Sequence, residues 1–131
     1  MPMSLDVSPE LLDQARRGPV DDAAFVATVR ESLPYAYALI TGLAAELAAG
    51  NADFADNQVP PPSEADRGQL LRALASDSIR GSLESHFGVR LAFQNCHRVA
   101  VFPPGYTGPA YQEFVSPRAQ LLNQSPALRN C

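Results

Sequence analysis

Cys96 and His97 stand side by side in the stretch FGVRLAFQNCHRVAVF, residues 87–102. A thiolate beside a base is the arrangement that cysteine catalysis requires, and nearby arginines can lower a thiol pKa. Adjacent residues in a tight turn point apart, however, so His97 is poorly placed to take the proton of Cys96. The sequence therefore predicts a structural turn, and a reactive Cys96–His97 pair is the alternative.

His86 is the other imidazole, and it lies near the end of a predicted helix. The helix dipole favours a cation at that end, which predicts a structural role, with catalysis as the alternative. His86, His97, Cys96 and Cys131 show no CxxC or HxxxH spacing, so they lack the signature of a zinc site. We therefore expect no metal and no cofactor.

Three arginines are candidates for an anion-binding site, namely Arg80, Arg90 and Arg98. Arg80 also stands four residues before Glu84 on a predicted helix, and that spacing favours an ion pair on the surface. Solvated surface arginines are the competing interpretation for this set. The sequence contains no phosphate-binding loop, dinucleotide fingerprint, nucleophile elbow or zinc-protease motif.

The charge is unevenly distributed along the chain. All ten basic residues are arginine, and the formal net charge is −4. Residues 1–66 carry three arginines and eleven acidic residues, whereas residues 67–131 carry seven arginines and three acidic residues. The acidic balance argues against general nucleic-acid binding, although the Arg-rich second half keeps a nucleic-acid-binding module as an alternative. The two halves can also attract each other, within one chain or between two.

Length and hydropathy predict one domain over residues 1–131. An apolar fraction of 46% supplies a core for a chain of this size. The longest apolar stretch, YAYALITGLAAELAAG, contains Thr41, Gly42 and Glu46, so we expect no membrane span. The chain starts without a signal-peptide pattern and has two cysteines, from which we expect a cytoplasmic location.

Helices are predicted throughout residues 1–50. Ser8 and Pro9 favour a helix start, and Gly18-Pro19 favours its end. Asp21 or Asp22 can cap a second helix, and Pro34 either kinks that helix or starts a third. The apolar faces are Phe25, Val26, Val29 and Leu33, then Leu39, Ile40, Leu43 and Leu47. Residues 51–63 form a proline-rich connection that contains three consecutive prolines.

One long helix is predicted from about residue 64 to 87, and Gly88 ends it. Ser63 and Asp66 resemble a capping box with Asp in place of Glu. The predicted core face is Leu71, Leu74, Ala75, Ile79, Leu83 and Phe87. The small residues Ala75, Ser78 and Ser82 would let another helix approach closely.

A β-hairpin is predicted over residues 89–102, because the apolar period there changes to alternation. A three-residue loop, 95–97, sets Phe93 opposite Val99 and collects the apolar side chains on one face. Gln94 lies on the other face, so we expect an acidic substitution there to cost far less stability than one at Phe93 or Val99. Loop and short helices follow over 103–131. The predicted fold is α+β and mostly helical, with this hairpin packed on the helices or added to the sheet of a partner.

Long phrases of the sequence also resemble a known family. They are SLDVSPELLDQA, VRESLPYAYALI, FADNQVPPPSEADRGQLLRALASDSIRG, HFGVRLAFQNCHRVAVF and LLNQSP. Together they resemble a small uncharacterised family of intracellular proteins from Streptomyces and related actinobacteria. The resemblance covers nearly the whole chain and implies a GC-rich genome, which fits the absence of lysine. It implies no activity and carries over no functional residue.

The sequence favours a non-enzyme, specifically a small cytoplasmic interaction or regulatory protein that acts as a homodimer. The hairpin edge and the face of Ala75, Ser78 and Ser82 are the two surfaces that predict self-association, and a further protein partner is also compatible with them. A small accessory or tailoring enzyme with a His, Cys and Arg pocket is the first alternative. A nucleic-acid-binding module that uses the Arg-rich half is the second.

Overall fold

The computed structural model of the chain describes residues 4–95 and 97–124, and within them it confirms an α+β fold that is mostly helical. The helices are α1 Pro9–Arg17, α2 Asp22–Ser32, α3 Pro34–Ala49, α4 Glu64–Ala75, α5 Asp77–Phe87, α6 Pro109–Phe114 and α7 Pro117–Leu122. The strands are β1 Ala55–Asp56, β2 Arg90–Gln94 and β3 Arg98–Phe102. Residues 125–131 of the predicted loop and short helices lie outside the described residues.

The first helices begin where the sequence predicts. The Ser8 hydroxyl accepts a hydrogen bond from the Leu11 N–H, and the Asp21 carboxylate accepts one from the Ala24 N–H. Pro34 starts a third helix rather than kinking the second, and Leu33 between the two helices is fully buried. The predicted apolar faces of α2 and α3 supply core residues, including Val29.

The predicted long helix over residues 64–87 is wrong in one respect, because Ser76 divides it into α4 and α5. Ser76 has extended backbone angles, and its hydroxyl accepts a hydrogen bond from the Ile79 N–H at 3.3 Å. A serine hydroxyl can cap a new helix in this way, while the apolar pattern runs on across the break. The predicted ends are confirmed: Ser63 caps α4, and Gly88 in the left-handed conformation follows α5.

The predicted core face of this region also needs correction. Leu71 is 47% exposed and Ala75 is exposed, whereas Leu70 and Ala73 are buried in their place. The reason is the break at Ser76, because it lets α4 rotate independently of the face that α5 presents. Leu74, Ile79 and Leu83 are buried as predicted, and Phe87 is partly buried against the same core.

The hairpin has the predicted register. Phe93 lies opposite Val99, and Leu91 lies opposite Val101. Asn95 in the connecting turn has a φ of 55°, a left-handed angle that asparagine tolerates better than most residues.

The sheet also contains a strand that the sequence does not indicate. Strand β1, within the predicted connection 51–63, pairs antiparallel with β3, which gives the order β1-β3-β2. A two-residue strand is too short to show an alternating pattern, so the sequence could not reveal it.

Both faces of the sheet are covered. Leu91, Val99 and Val101 pack against α2 to α5 in the main core. On the other face, Phe102 and Phe114 are buried in a second cluster, which partly buried aromatic residues extend. Gln94 lies on this second face and is 3% exposed, which removes the basis for expecting a tolerant polar position there.

Within the described ranges, no helix combines the length and apolar character needed to cross a bilayer.

Candidate functional site

Strand β2 ends the sheet, and its backbone alternates between β3 and the open side. The N–H of Asn57 donates to the carbonyl of Val99, so the backbone of Val99 faces the β1 side. The alternate residues of β3 therefore face β2, where they lie opposite Arg90, Ala92 and Gln94. By the same alternation, the N–H and C=O groups of Leu91 and Phe93 point away from the sheet.

A groove of about 550 Å³ runs along this open edge. Leu74 of α4 and Arg80 and Glu84 of α5 line one side of it. The other side is lined by Tyr111 of α6 and by Val115, the residue after α6, which is 48% exposed. The groove therefore combines outward backbone groups with the exposed side chain of Val115, and outward backbone groups are what an added strand pairs with.

The side chain of Glu84 forms a hydrogen bond with the open edge. The Oε2 atom of Glu84 accepts a hydrogen bond of 2.9 Å from the outward N–H of Leu91. The backbone of Glu84 is itself at the end of α5, where its carbonyl accepts from the N–H of Val89. Within the described residues, no side chain does the same for the N–H of Phe93.

Two of the candidate arginines lie at this groove. Arg80 pairs with Asp77 at 2.6 Å and donates to the Leu74 carbonyl, so the predicted Arg80–Glu84 pair is not formed. Arg90 donates to the Tyr106 carbonyl at 2.6 Å, and its guanidinium lies 3.6 Å from the centre of the Tyr111 ring. Each guanidinium thus has protein partners that compete with an added anion.

Arg98 lies in a separate polar cleft of about 290 Å³, which Asp56, Gln58 and His97 also line. Its Nε donates to the Asp56 carboxylate at 2.8 Å, and its Nη2 donates to the same oxygen. The Asp56 side chain is 8% exposed and also accepts from Gln58. The structure therefore does not bring the three candidate arginines to one place, since Arg98 is tied to β1 instead.

His97 also lies in this cleft. Its Nδ1 is 2.6 Å from the Asn95 carbonyl oxygen, which fits an Nδ1–H donor. The carbonyl of His97 accepts from the side chain of Asn57, whose own oxygen accepts from the N–H of Val99. Cys96 and Cys131 lie outside the described residues, so the predicted Cys96–His97 arrangement stays a prediction.

His86 is at the end of α5, as predicted, in contact with aromatic rings. Its ring meets Phe87 edge to face with centroids 4.8 Å apart, and its Nε2 is 3.4 Å from the Tyr37 hydroxyl. It lines a groove of about 570 Å³ between α2 and α5, together with Ser78 and Ser82. The predicted face of small residues thus contributes to this second groove, here called the small-residue groove.

The comparisons with known proteins identify a family. The chain belongs to the family described as NucS shadow ORF, whose model matches residues 3–131. A shadow ORF, in ordinary usage, is a reading frame that overlaps the coding frame of another gene, and the description states no activity. No curated protein and no solved structure matches the chain. The predicted membership of a small family without an assigned activity is confirmed, while the actinobacterial source stays a prediction.

Proposed function

We propose that this member of the NucS shadow ORF family is a small cytoplasmic interaction protein that acts as a homodimer through the open edge of β2. The observation that carries this proposal is the outward backbone of Leu91 and Phe93, at an edge where residues 4–95 and 97–124 supply no further strand. Backbone groups of this kind form a ladder with any added strand, which makes such edges natural sites of association.

A second copy is the occupant that the edge fits best. Two identical edges related by a two-fold axis run antiparallel and present the same donors and acceptors to each other. The pairing would also cover Val115, which is 48% exposed in the groove.

The test is sedimentation velocity over micromolar to millimolar concentrations with two variants at one position. Phe93→Ala removes the ring but keeps the outward N–H, whereas Phe93→Pro removes both the ring and the N–H. Proline is tolerated at an edge where its missing N–H faces away from the sheet. We expect Phe93→Pro to dimerise at least tenfold more weakly than Phe93→Ala, because the symmetric pair loses two ladder bonds.

A control variant separates this edge from the other predicted surface. Ser78 is exposed in the small-residue groove, and Ser78→Arg would obstruct any helix docked there. Dimerisation through β2 predicts no change with Ser78→Arg. A monomeric wild type at all concentrations, or a dimer that Ser78→Arg alone disrupts, would contradict the proposal.

The pairing of the arginines supports this function over nucleic-acid binding. Arg80 and Arg98 each contact a carboxylate, which reduces the positive field that they offer to a phosphate backbone. The small-enzyme alternative, with a pocket of His, Cys and Arg side chains, stays a prediction.

A further inference from the structure

The hydrogen bond between Glu84 and Leu91 occupies the edge on which the proposed dimer depends. The carboxylate accepts from the outward N–H at 2.9 Å, so this donor is not free to pair with another strand. Arg80, four residues earlier on α5, pairs with Asp77 and therefore does not draw Glu84 away. The contact is thus an intramolecular substitute for a ladder bond.

One register makes the edge self-complementary. A two-fold axis at Ala92 would place Leu91 opposite Phe93 of the second copy, and their apolar side chains would lie on the same face. Arg90 would then lie opposite Gln94 of the second copy, so no like charges meet. The Leu91 of each copy would exchange two backbone hydrogen bonds with the Phe93 of the other copy, which gives four bonds across the axis.

That register requires the Leu91 N–H. Two of its four intermolecular bonds are donated by Leu91, one from each copy. If Glu84 stays in place, an axis shifted to Phe93 remains, and this alternative forms two bonds only. The position of the Glu84 carboxylate therefore decides whether the two copies form two or four intermolecular hydrogen bonds.

We infer that Glu84 is a built-in block on self-association, and that the dimer forms when the Leu91 N–H exchanges the Glu84 carboxylate for the Phe93 carbonyl of a second copy. This inference rests on the proposed function. Charged side chains commonly protect the edges of natural sheets, and here the protection acts through one defined bond. In the monomer the Leu91 N–H is therefore bonded to Glu84, and it can pair with a second copy only when the Glu84 side chain moves away.

The experiment measures the dimer dissociation constant of three Glu84 variants alongside the wild type. Glu84→Ala removes the acceptor, and Glu84→Asp keeps the charge on a side chain one methylene shorter. Glu84→Gln is the control, because its amide oxygen can still accept from Leu91. We expect Glu84→Ala and Glu84→Asp to dimerise about tenfold more tightly, and Glu84→Gln to remain within about threefold of the wild type.

The outcomes separate the inference from the proposed function. If Glu84→Ala and Glu84→Asp dimerise like the wild type, the block does not exist, although the homodimer stands. If the wild type and every variant are monomeric, the proposed function fails as well. Should Glu84→Ala fail to fold, Glu84→Asp decides the question, with a melting curve to verify its fold. Unchanged or weaker dimerisation of a folded Glu84→Asp overturns the inference.

Discussion

The side-chain oxygen of Gln69 lies 2.7 Å from the backbone nitrogen of Tyr35, and it caps α3 from a different helix. The same oxygen accepts from the N–H of Ala36, which is fully buried. Pro34 has no N–H of its own, so one buried amide of α4 satisfies the first donors of α3. Gln69 is therefore a structural residue that joins α4 to α3, and it lies 33 and 34 positions along the chain from the two residues that donate to it.

Replacing Gln69 with methionine should strongly destabilise the fold. The side-chain volume is kept, but two helix donors lose their acceptor in a buried place. We expect a loss of about 2–4 kcal/mol in the free energy of unfolding, measured in urea. Gln112→Met, at an exposed position, is the control and should change it by less than about 0.5 kcal/mol. Equal losses in the two variants would contradict this assignment.

The ion pair between Asp56 and Arg98 should couple β1 to β3. The two residues are 42 positions apart, and the Asp56 side chain is largely buried. A double-mutant cycle with alanine should give a coupling energy of about 1–3 kcal/mol, because each single change leaves a charge without its partner. The exposed pair of Arg17 and Asp13 is the control and should give less than about 0.5 kcal/mol. If the coupling energy of Asp56 and Arg98 were as small as that of the control pair, the ion pair would not hold β1 to β3.

Gln94 should tolerate a charge as poorly as Val99 does. Its Nε2 donates to the Phe114 carbonyl at 2.8 Å, and its Oε1 is buried without a partner among the described residues. Gln94→Asp would bury a carboxylate beside that carbonyl, and we expect a loss of more than about 3 kcal/mol. Val99→Asp should cost a similar amount, while Gln124→Asp at an exposed site should cost little. If Gln94→Asp lost as little stability as Gln124→Asp, the second face of the sheet would be open to solvent at Gln94.

The sequence predicts those parts of the fold that depend on local pattern. The register of Phe93 opposite Val99 follows from alternation over ten residues, because a slip of one position would move the apolar set off the face that packs in the main core. The cap at Asp21 depends on one side chain and the N–H of Ala24, three residues away. Such features are visible in the sequence because the interacting groups are neighbours.

The remaining features depend on contacts that no local pattern encodes. The break at Ser76 was missed because apolar residues recur at helical spacing on both sides of it, although the buried face changes at the break. The burial of Gln94 depends on Phe114, which is 20 positions away. The candidate site also depends on tertiary structure, because Glu84 reaches Leu91 only after α5 and β2 have been brought together.

The chain can act as a dimeric protein only if its reading frame is translated in the cell. Because all basic residues are arginine, trypsin should release residues 81–90 and 99–118 as separate peptides. We expect targeted mass spectrometry to detect GSLESHFGVR and VAVFPPGYTGPAYQEFVSPR in digests of cells that carry the gene. Labelled synthetic copies added to the lysate set the detection limit. The absence of both peptides where the copies are detected would contradict a role for the chain in those cells.

The most direct measurement of the central claim is an isotope-filtered NMR experiment on a sample mixed from labelled and unlabelled chains. The pairing centred on Ala92 brings the Cα atoms of the two Ala92 residues to about 4.5 Å, a spacing at which their Hα atoms are in close contact. We predict an intermolecular NOE between Ala92 Hα atoms, which weakens when the sample is diluted. A dimeric sample with no such NOE, or a chain that remains monomeric at millimolar concentration, would contradict the account.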